Sequence, residues 1–480
     1  MSDASHTTPA REELAEVLEL VAREAAAYLH DVDARRVRSP HASEAARALA
    51  GDLPERGVGA ASALRELVER GLEAAVTTSG PRSYHFVIGG TTPAALGADW
   101  LASTLDQVAY AWVSSPLAVQ LELLSLRWLR QLFELPAAWG GIMTTGATMA
   151  NFVGLAAARQ WWAEQQGIDV AEIGLAELPR ARVYSSGYVH ASTVKALAML
   201  GWGRASLQVL SRDALGRLDV EALEQALADA DAAPAILVGN AGEVNAGDFD
   251  PIATLADLAE KHGAWLHVDG AFGLFARVSP RSAHWTAGVE RAHSLTVDGH
   301  KWLNVPYDCG FSFVADPSLL GRAFAYSAAY LPAPDDPHPN LGTIGPESSR
   351  RARALAVWAT LRAYGKRGYR QLVETHLELG QHLARRIDEA PDLERLAAVP
   401  LSIVCFRFNP GNRGEEELNR LNTALGQALL EDGRVYAGTT TYGTSVALRP
   451  AIVNWRTTAA DLDLFVSVVR ELGASIASRS

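Results

Sequence analysis

The chain has 480 residues, 48% of them hydrophobic and 20% charged, ordinary globular usage that excludes a disordered or fibrous protein. Its 43 Lys and Arg face 55 Asp and Glu, a net charge of -12, so it carries no basic field for nucleic acid or an anionic membrane, and a small-molecule partner is expected. Two cysteines, Cys309 and Cys405, can build neither a disulfide framework nor a cysteine metal cage, so no metal site is expected.

Every apolar run is interrupted well before the roughly 18 residues a membrane span needs. The polar start, followed by Arg11-Glu12-Glu13, offers no basic segment leading into an apolar one, and a cytoplasmic protein is expected. Leu14, Val17, Leu18, Val21 and Ala25 recur at helical spacing and predict an amphipathic helix over 13–29. Residues 79–92, SGPRSYHFVIGGTT, are rich in turn formers and aromatics and mark a domain boundary near residue 80. Ser115 and Pro116 supply an N-cap and a first-turn proline for a helix to about Leu135.

From about 140 to 315 the pattern changes to short apolar runs, at 142–143, 182–184, 207–210, 236–238, 265–268, 295–297 and 311–314, several of them alternating with helical stretches. That alternation predicts an α/β domain with a mostly parallel sheet covered on both faces, in which ligands sit beyond the carboxyl ends of the strands. Past Arg350 come a long helical stretch over 351–389, strand candidates at 401–408 and 445–448, and a last helix that Thr458 and Asp461 would cap. This predicts a smaller α+β domain. The expected division is 1–80 as an N-terminal helical segment, 81–349 as the large domain and 350–480 as the small one.

Four local patterns carry chemistry. Residues 144–148, TTGAT, end a strand and open a helix; the free N–H groups there, with the Thr148 hydroxyl, could hold a phosphate, or Thr148 could be a plain cap. No lysine follows to make a nucleotide-triphosphate loop. His190, between a strand and an Ala-rich helix, is either a cap or a flat ring for stacking on an aromatic cofactor. Asp269 ends the strand WLHVD and is either a turn former or a carboxylate that would keep a pyridine nitrogen protonated. Lys301, in SLTVDGHKWLNVPYDCG at 294–310, is delivered onto a turn among His300, Trp302 and Tyr307. Partial desolvation there would make its amine a nucleophile toward an aldehyde. Together these supply a phosphate cradle, a ring face, a partner for a ring nitrogen and an amine for an aldehyde. That set matches pyridoxal 5'-phosphate.

The chain resembles the group II pyridoxal-phosphate-dependent amino-acid decarboxylases, the family of the aromatic-L-amino-acid and glutamate decarboxylases. The resemblance runs from GPRSYHFVIGG through SSPLAVQLE, TTGATMAN, AILVGNAGEVNAGDFDPI, WLHVDGAFG and DGHKWLNVPYDCG to SSRRARALAVW. It implies the aspartate-aminotransferase-like fold, fold type I of the pyridoxal-phosphate enzymes, in a homodimer with shared active sites. It further implies that Lys301 forms the internal aldimine, Asp269 pairs with the pyridine nitrogen, His190 stacks on the ring, Ala147 and Thr148 bind the phosphate and His300 lies beside the cofactor. Tyr330 would serve on a loop reaching the reacting carbon, and Arg350 would support that loop or form an ion pair.

The reaction so implied is decarboxylation of an L-amino acid to its amine, through an external aldimine and a quinonoid. Aldehyde-forming and carbon–carbon lyase chemistry use the same attachments, and a non-catalytic interaction protein is the remaining alternative. Tyr84, Phe86 and Trp100 are expected to line an aromatic substrate pocket, whereas Arg82 or His85 would instead favour an acidic side chain. Two segments depart from the family pattern. The stretch 80–86 lacks the usual His-Pro, and Glu243-Val244 stand where two threonines are frequent.

Overall fold

The structure, a computed structural model, describes residues 11, 13–228, 233–326 and 337–479. Seven strands, β1 (Gly140–Thr144), β2 (Arg182–Ser185), β3 (Leu207–Val209), β4 (Ala235–Asn240), β5 (Trp265–Asp269), β6 (Ser294–Asp298) and β7 (Gly310–Val314), form one sheet in the order β1-β7-β6-β5-β4-β2-β3. All neighbouring pairs are parallel except those of β7, which runs antiparallel to β1 and β6. Strands β4 to β7 are buried at every position, as expected when helices cover both faces. The register sets Asn240 beside Asp269, so the ends of adjacent parallel strands open on one crevice.

A second sheet, β8 (Leu393–Arg395), β9 (Phe406–Phe408), β10 (Thr439–Tyr442) and β11 (Ser445–Leu448), lies near the C-terminus in the order β10-β11-β9-β8. The apolar run 401–408 becomes a strand only at its end. Opposite its first half stands Pro450, which has no N–H to donate, and pairing there reduces to the single bridge Ile403–Ala451. The helix Ala354–Asp388 is broken at Gly365, where φ is 60° and ψ is -173°. Two predicted caps are present: Ser115 accepts from Ala118 N–H, and Thr458 and Asp461 form a capping box.

Tyr84 is buried in the apolar cluster of the small sheet, edge-on to Phe465 at 5.3 Å. Its backbone follows, with Tyr84 N–H bonded to Tyr436 O at 2.7 Å. The segment around residue 84 is thus stitched to the C-terminal part of the fold.

Candidate active site

β6 ends at Asp298, and a tight turn carries His300, Lys301 and Trp302. Several independent contacts hold that turn. Trp302, fully buried, donates its indole N–H to His376 Nδ1 at 2.7 Å and stacks on Phe272 at 4.9 Å. Asn304, also fully buried, donates to the carbonyls of Trp302 and Val453, both at 2.9 Å, and accepts from Trp455 N–H at 2.9 Å. Gly89 passes so close that a Cβ on it would lie 1.7 Å from Lys301 O. Only glycine fits there. Lys301 therefore projects from a fixed backbone, and its Nζ lies 3.0 Å from Asp298 Oδ2.

A cavity of about 360 Å³ opens at Lys301, at the carboxyl ends of the parallel strands. Ala147, Thr148, His190, Asp269, His300 and Lys301 all line it. The first two open the helix Ala147–Glu164, whose preceding Gly146 has φ 153° and would press a Cβ to 3.0 Å from the His300 ring. That leaves room above the helix start, where N–H groups without intrahelical partners favour an anion, the first of them, that of Ala147, being bonded to Asp298 Oδ1.

His190 caps the helix Ala191–Met199, Nδ1 accepting from Ser192 N–H at 3.2 Å. Both readings of this residue are compatible, because the capping bond fixes the plane of a ring that faces the cavity. Burial holds its pKa below the ordinary histidine value, so the ring is neutral at pH 7.

Asp269 combines its two readings in the same way. Oδ1 accepts from Ala271 N–H at 3.1 Å and Oδ2 from Asn151 Nδ2 at 2.8 Å. Behind it runs a buried chain: Asn151 Oδ1 meets His267 Nε2 at 2.9 Å, His267 Nδ1 meets Ser294 Oγ at 2.8 Å, and Ser294 Oγ accepts from Trp265 Nε1 at 3.0 Å. Burial lowers the His267 pKa to about 4, so the ring carries one proton. Since Asn151 Oδ1 can only accept, Nε2–H donates to it, and the bare Nδ1 accepts from the Ser294 hydroxyl. Every donor then points toward Asp269, which is held as an acceptor with lone pairs left for a protonated ring nitrogen.

The remaining expected residues lie elsewhere. Tyr84 is in the small-sheet core, Phe86 is 62% exposed and Trp100 is 42% exposed, and none of the three lines the cavity. An aromatic residue type does not tell which side of a turn or helix it will occupy. Arg82 is engaged by Asp33 O and, at 3.6 Å, by Asp461, away from the cavity. The His85 ring packs where a Cβ on Gly438 would sit, with Nδ1 buried and unpartnered. Tyr330 lies outside the described residues. Arg350 is buried in an ion pair with Glu122, at 3.0 and 3.1 Å, and also bonds Met143 O and Ala109 O.

Further walls of the cavity are Val87, Tyr188, Phe272, Asp298 and Ile403, together with Tyr307, which was expected beside Lys301. Glu243 and Val244 line it too. The Glu243 carboxylate caps Asn245 N–H at 2.6 Å and also Ala246 N–H, and burial raises its pKa. The signal for Asn151 is its position three residues beyond Thr148, on the same helix face.

The sequence pattern described as the pyridoxal-dependent decarboxylase conserved domain matches residues 50–409. The chain is 33% identical over 417 residues to the L-2,4-diaminobutyrate decarboxylase of Rhizobium meliloti (strain 1021), covering 85% of this chain and 80% of that one. It is 29% identical over 403 residues to the aromatic-L-amino-acid decarboxylase of Bacillus atrophaeus, covering 82% of each. The crystal structure of Oryza sativa TDC with PLP and tryptamine superposes with a TM-score of 0.89 at 24% identity, over 97% of this chain and 99% of that one. That likeness shows fold type I.

Proposed function

The chain belongs to the pyridoxal-dependent decarboxylase family, a family of carboxy-lyases that use pyridoxal 5'-phosphate, and on that premise we propose that it decarboxylates an aromatic L-amino acid to the amine. The observation that carries this reading is the convergence of Lys301, Asp269, His190 and the 147–148 helix start on one cavity. When bound, the cofactor supplies an electron sink for the breaking bond. The protein supplies the rest. Lys301 provides the amine that attaches the aldehyde, Asp269 keeps the ring nitrogen protonated, His190 covers one ring face, and His300 borders the cofactor. Ala147 and Thr148 hold the phosphate.

Tyr188, Phe272, Tyr307, Val87 and Ile403 give the cavity an apolar and aromatic wall, which supports an aromatic side chain in place of the Tyr84, Phe86 and Trp100 set. An apolar wall also excludes water, favouring loss of a carboxylate over its retention. Tyr330 is the proposed proton donor to the α-carbon.

We further propose a cytoplasmic homodimer with active sites shared between subunits, divided at residues 80 and 349. Exposed Leu14, Leu18, Leu53, Leu101, Val113 and Leu117 support a partner-covered face. Among the described residues no helix is long and apolar enough to cross a membrane. The function is tested by presenting the purified protein, loaded with pyridoxal phosphate, with each of the common L-amino acids and measuring carbon dioxide, amine, aldehyde and peroxide together. Amine and carbon dioxide in equal amounts from an aromatic substrate is the expected result. Aldehyde without amine would replace the proposal with oxidative chemistry.

A further inference from the structure

Asp298 stands where the cradle for an anion should be free. Its side chain is only 3% exposed, and its two oxygens are already committed: Oδ1 accepts the Ala147 N–H at 2.6 Å, and Oδ2 lies 3.0 Å from Lys301 Nζ. His300 adds a weaker contact, Nε2 at 3.5 Å from Oδ1. Because His300 Nδ1 accepts from Cys309 N–H at 3.3 Å, the Nε2 proton faces the carboxylate. The first N–H of the helix Ala147–Glu164, the attaching lysine and one neighbouring imidazole all converge on this one carboxylate.

It has little freedom to leave. A Cβ on Gly299 would meet Cys309 Sγ at 2.7 Å, and one on Gly310 would meet the Gly146 backbone at 2.5 Å, so the strand end and the helix start are locked together. A phosphate entering above Ala147 meets a negative charge bonded to the same helix start. In a partly buried site such like charges repel strongly.

We propose that Asp298 is a built-in stand-in for the cofactor's phosphate, a positioning residue that holds the helix start and Lys301 in place in the free protein and competes with the incoming anion. This inference rests on the reading of the cavity as a pyridoxal-phosphate site. Cofactor capture then requires Lys301 to exchange its carboxylate partner for the aldehyde. The balance between the two anions sets how tightly the cofactor is kept.

The test uses the full chain stripped of cofactor and titrated calorimetrically with inorganic phosphate. Asp298→Asn keeps an oxygen for the Ala147 N–H and removes the charge, and it is expected to bind phosphate at least about tenfold tighter than the parent protein. Lys301→Ala and the double variant Asp298→Asn/Lys301→Ala separate this from the mere release of a cation, because the same tightening is expected between those two. Asp298→Ser serves if the Asn variant does not fold. Equal or weaker phosphate binding in the charge-free variants overturns the proposal while the cofactor reading stands, provided that the parent protein shows a pyridoxal-phosphate absorbance band. No phosphate binding in any variant, with no such band in the parent protein, overturns both.

Discussion

His267 and His376 are fully buried, and burial lowers both pKa values from 6.5 to about 4. Each is wired as a neutral ring. His376 Nδ1 accepts the Trp302 indole N–H, which leaves Nε2–H facing Asn454 O at 3.1 Å. A second proton would set two donors against each other beside the turn that carries Lys301. Since the folded pKa is depressed for a base, the unfolded chain takes up the proton first as pH falls, and stability is lost between about pH 6.5 and pH 4. From about pH 7 to about pH 5 the loss works out at about 2 kcal/mol for each ring, about 4 kcal/mol together.

Asp250 acts in the opposite sense. Burial raises its pKa from 3.8 to about 6, so the folded state gains its proton first and recovers about 1 kcal/mol over the same interval. These three groups together lose about 3 kcal/mol, and His85, likewise lowered to about 4 by burial, adds to the loss. Urea unfolding followed by circular dichroism at the two pH values measures it. His376→Gln, which cannot titrate, should shrink the difference by about 2 kcal/mol. If the variant and the parent protein lose the same stability on acidification, the neutral wiring of His376 is wrong.

Arg350→Met strands the buried Glu122 carboxylate and should cost about 3–5 kcal/mol in the same urea assay, whereas Arg350→Met with Glu122→Leu should cost much less. Asn151→Leu removes a donor to Asp269 and leaves His267 Nε2–H without its acceptor; a loss of about 2–4 kcal/mol in stability is expected, together with weaker cofactor retention on dialysis. Gly89→Ala cannot be accommodated against Lys301 O, so it should yield protein that either fails to fold or holds no cofactor, read out by circular dichroism and absorbance. A Gly89→Ala protein with normal spectra would contradict the close approach.

The positions of Lys301 and Asp269 at strand ends were legible because a β-branched or apolar run followed by Gly is a local signal for both the strand and its end. His190 and Asp269 each left two readings open in sequence, and the structure shows why: a capping or turn-forming bond uses one part of the side chain and leaves another facing the cavity. The apolar wall of the cavity was not legible. Tyr188, Phe272 and Ile403 come from three distant segments, and only the tertiary fold brings them together. Conversely, nothing local to Tyr84 tells that its ring is drawn toward Phe465, far along the chain. Asp298 was in plain view beside Lys301, but only the distance to Ala147 N–H turns it from a turn residue into a rival for the phosphate.

The central claim is that Lys301 is the covalent anchor of pyridoxal phosphate. The direct measurement is the absorbance spectrum of the loaded protein and of Lys301→Ala, with carbon dioxide release recorded on the same samples. A band at about 400 nm in the parent protein, discharged by borohydride and absent from the variant along with carbon dioxide release, is the expected result. A parent protein without the band, or a Lys301→Ala protein that keeps both the borohydride-sensitive band and the activity, would contradict it.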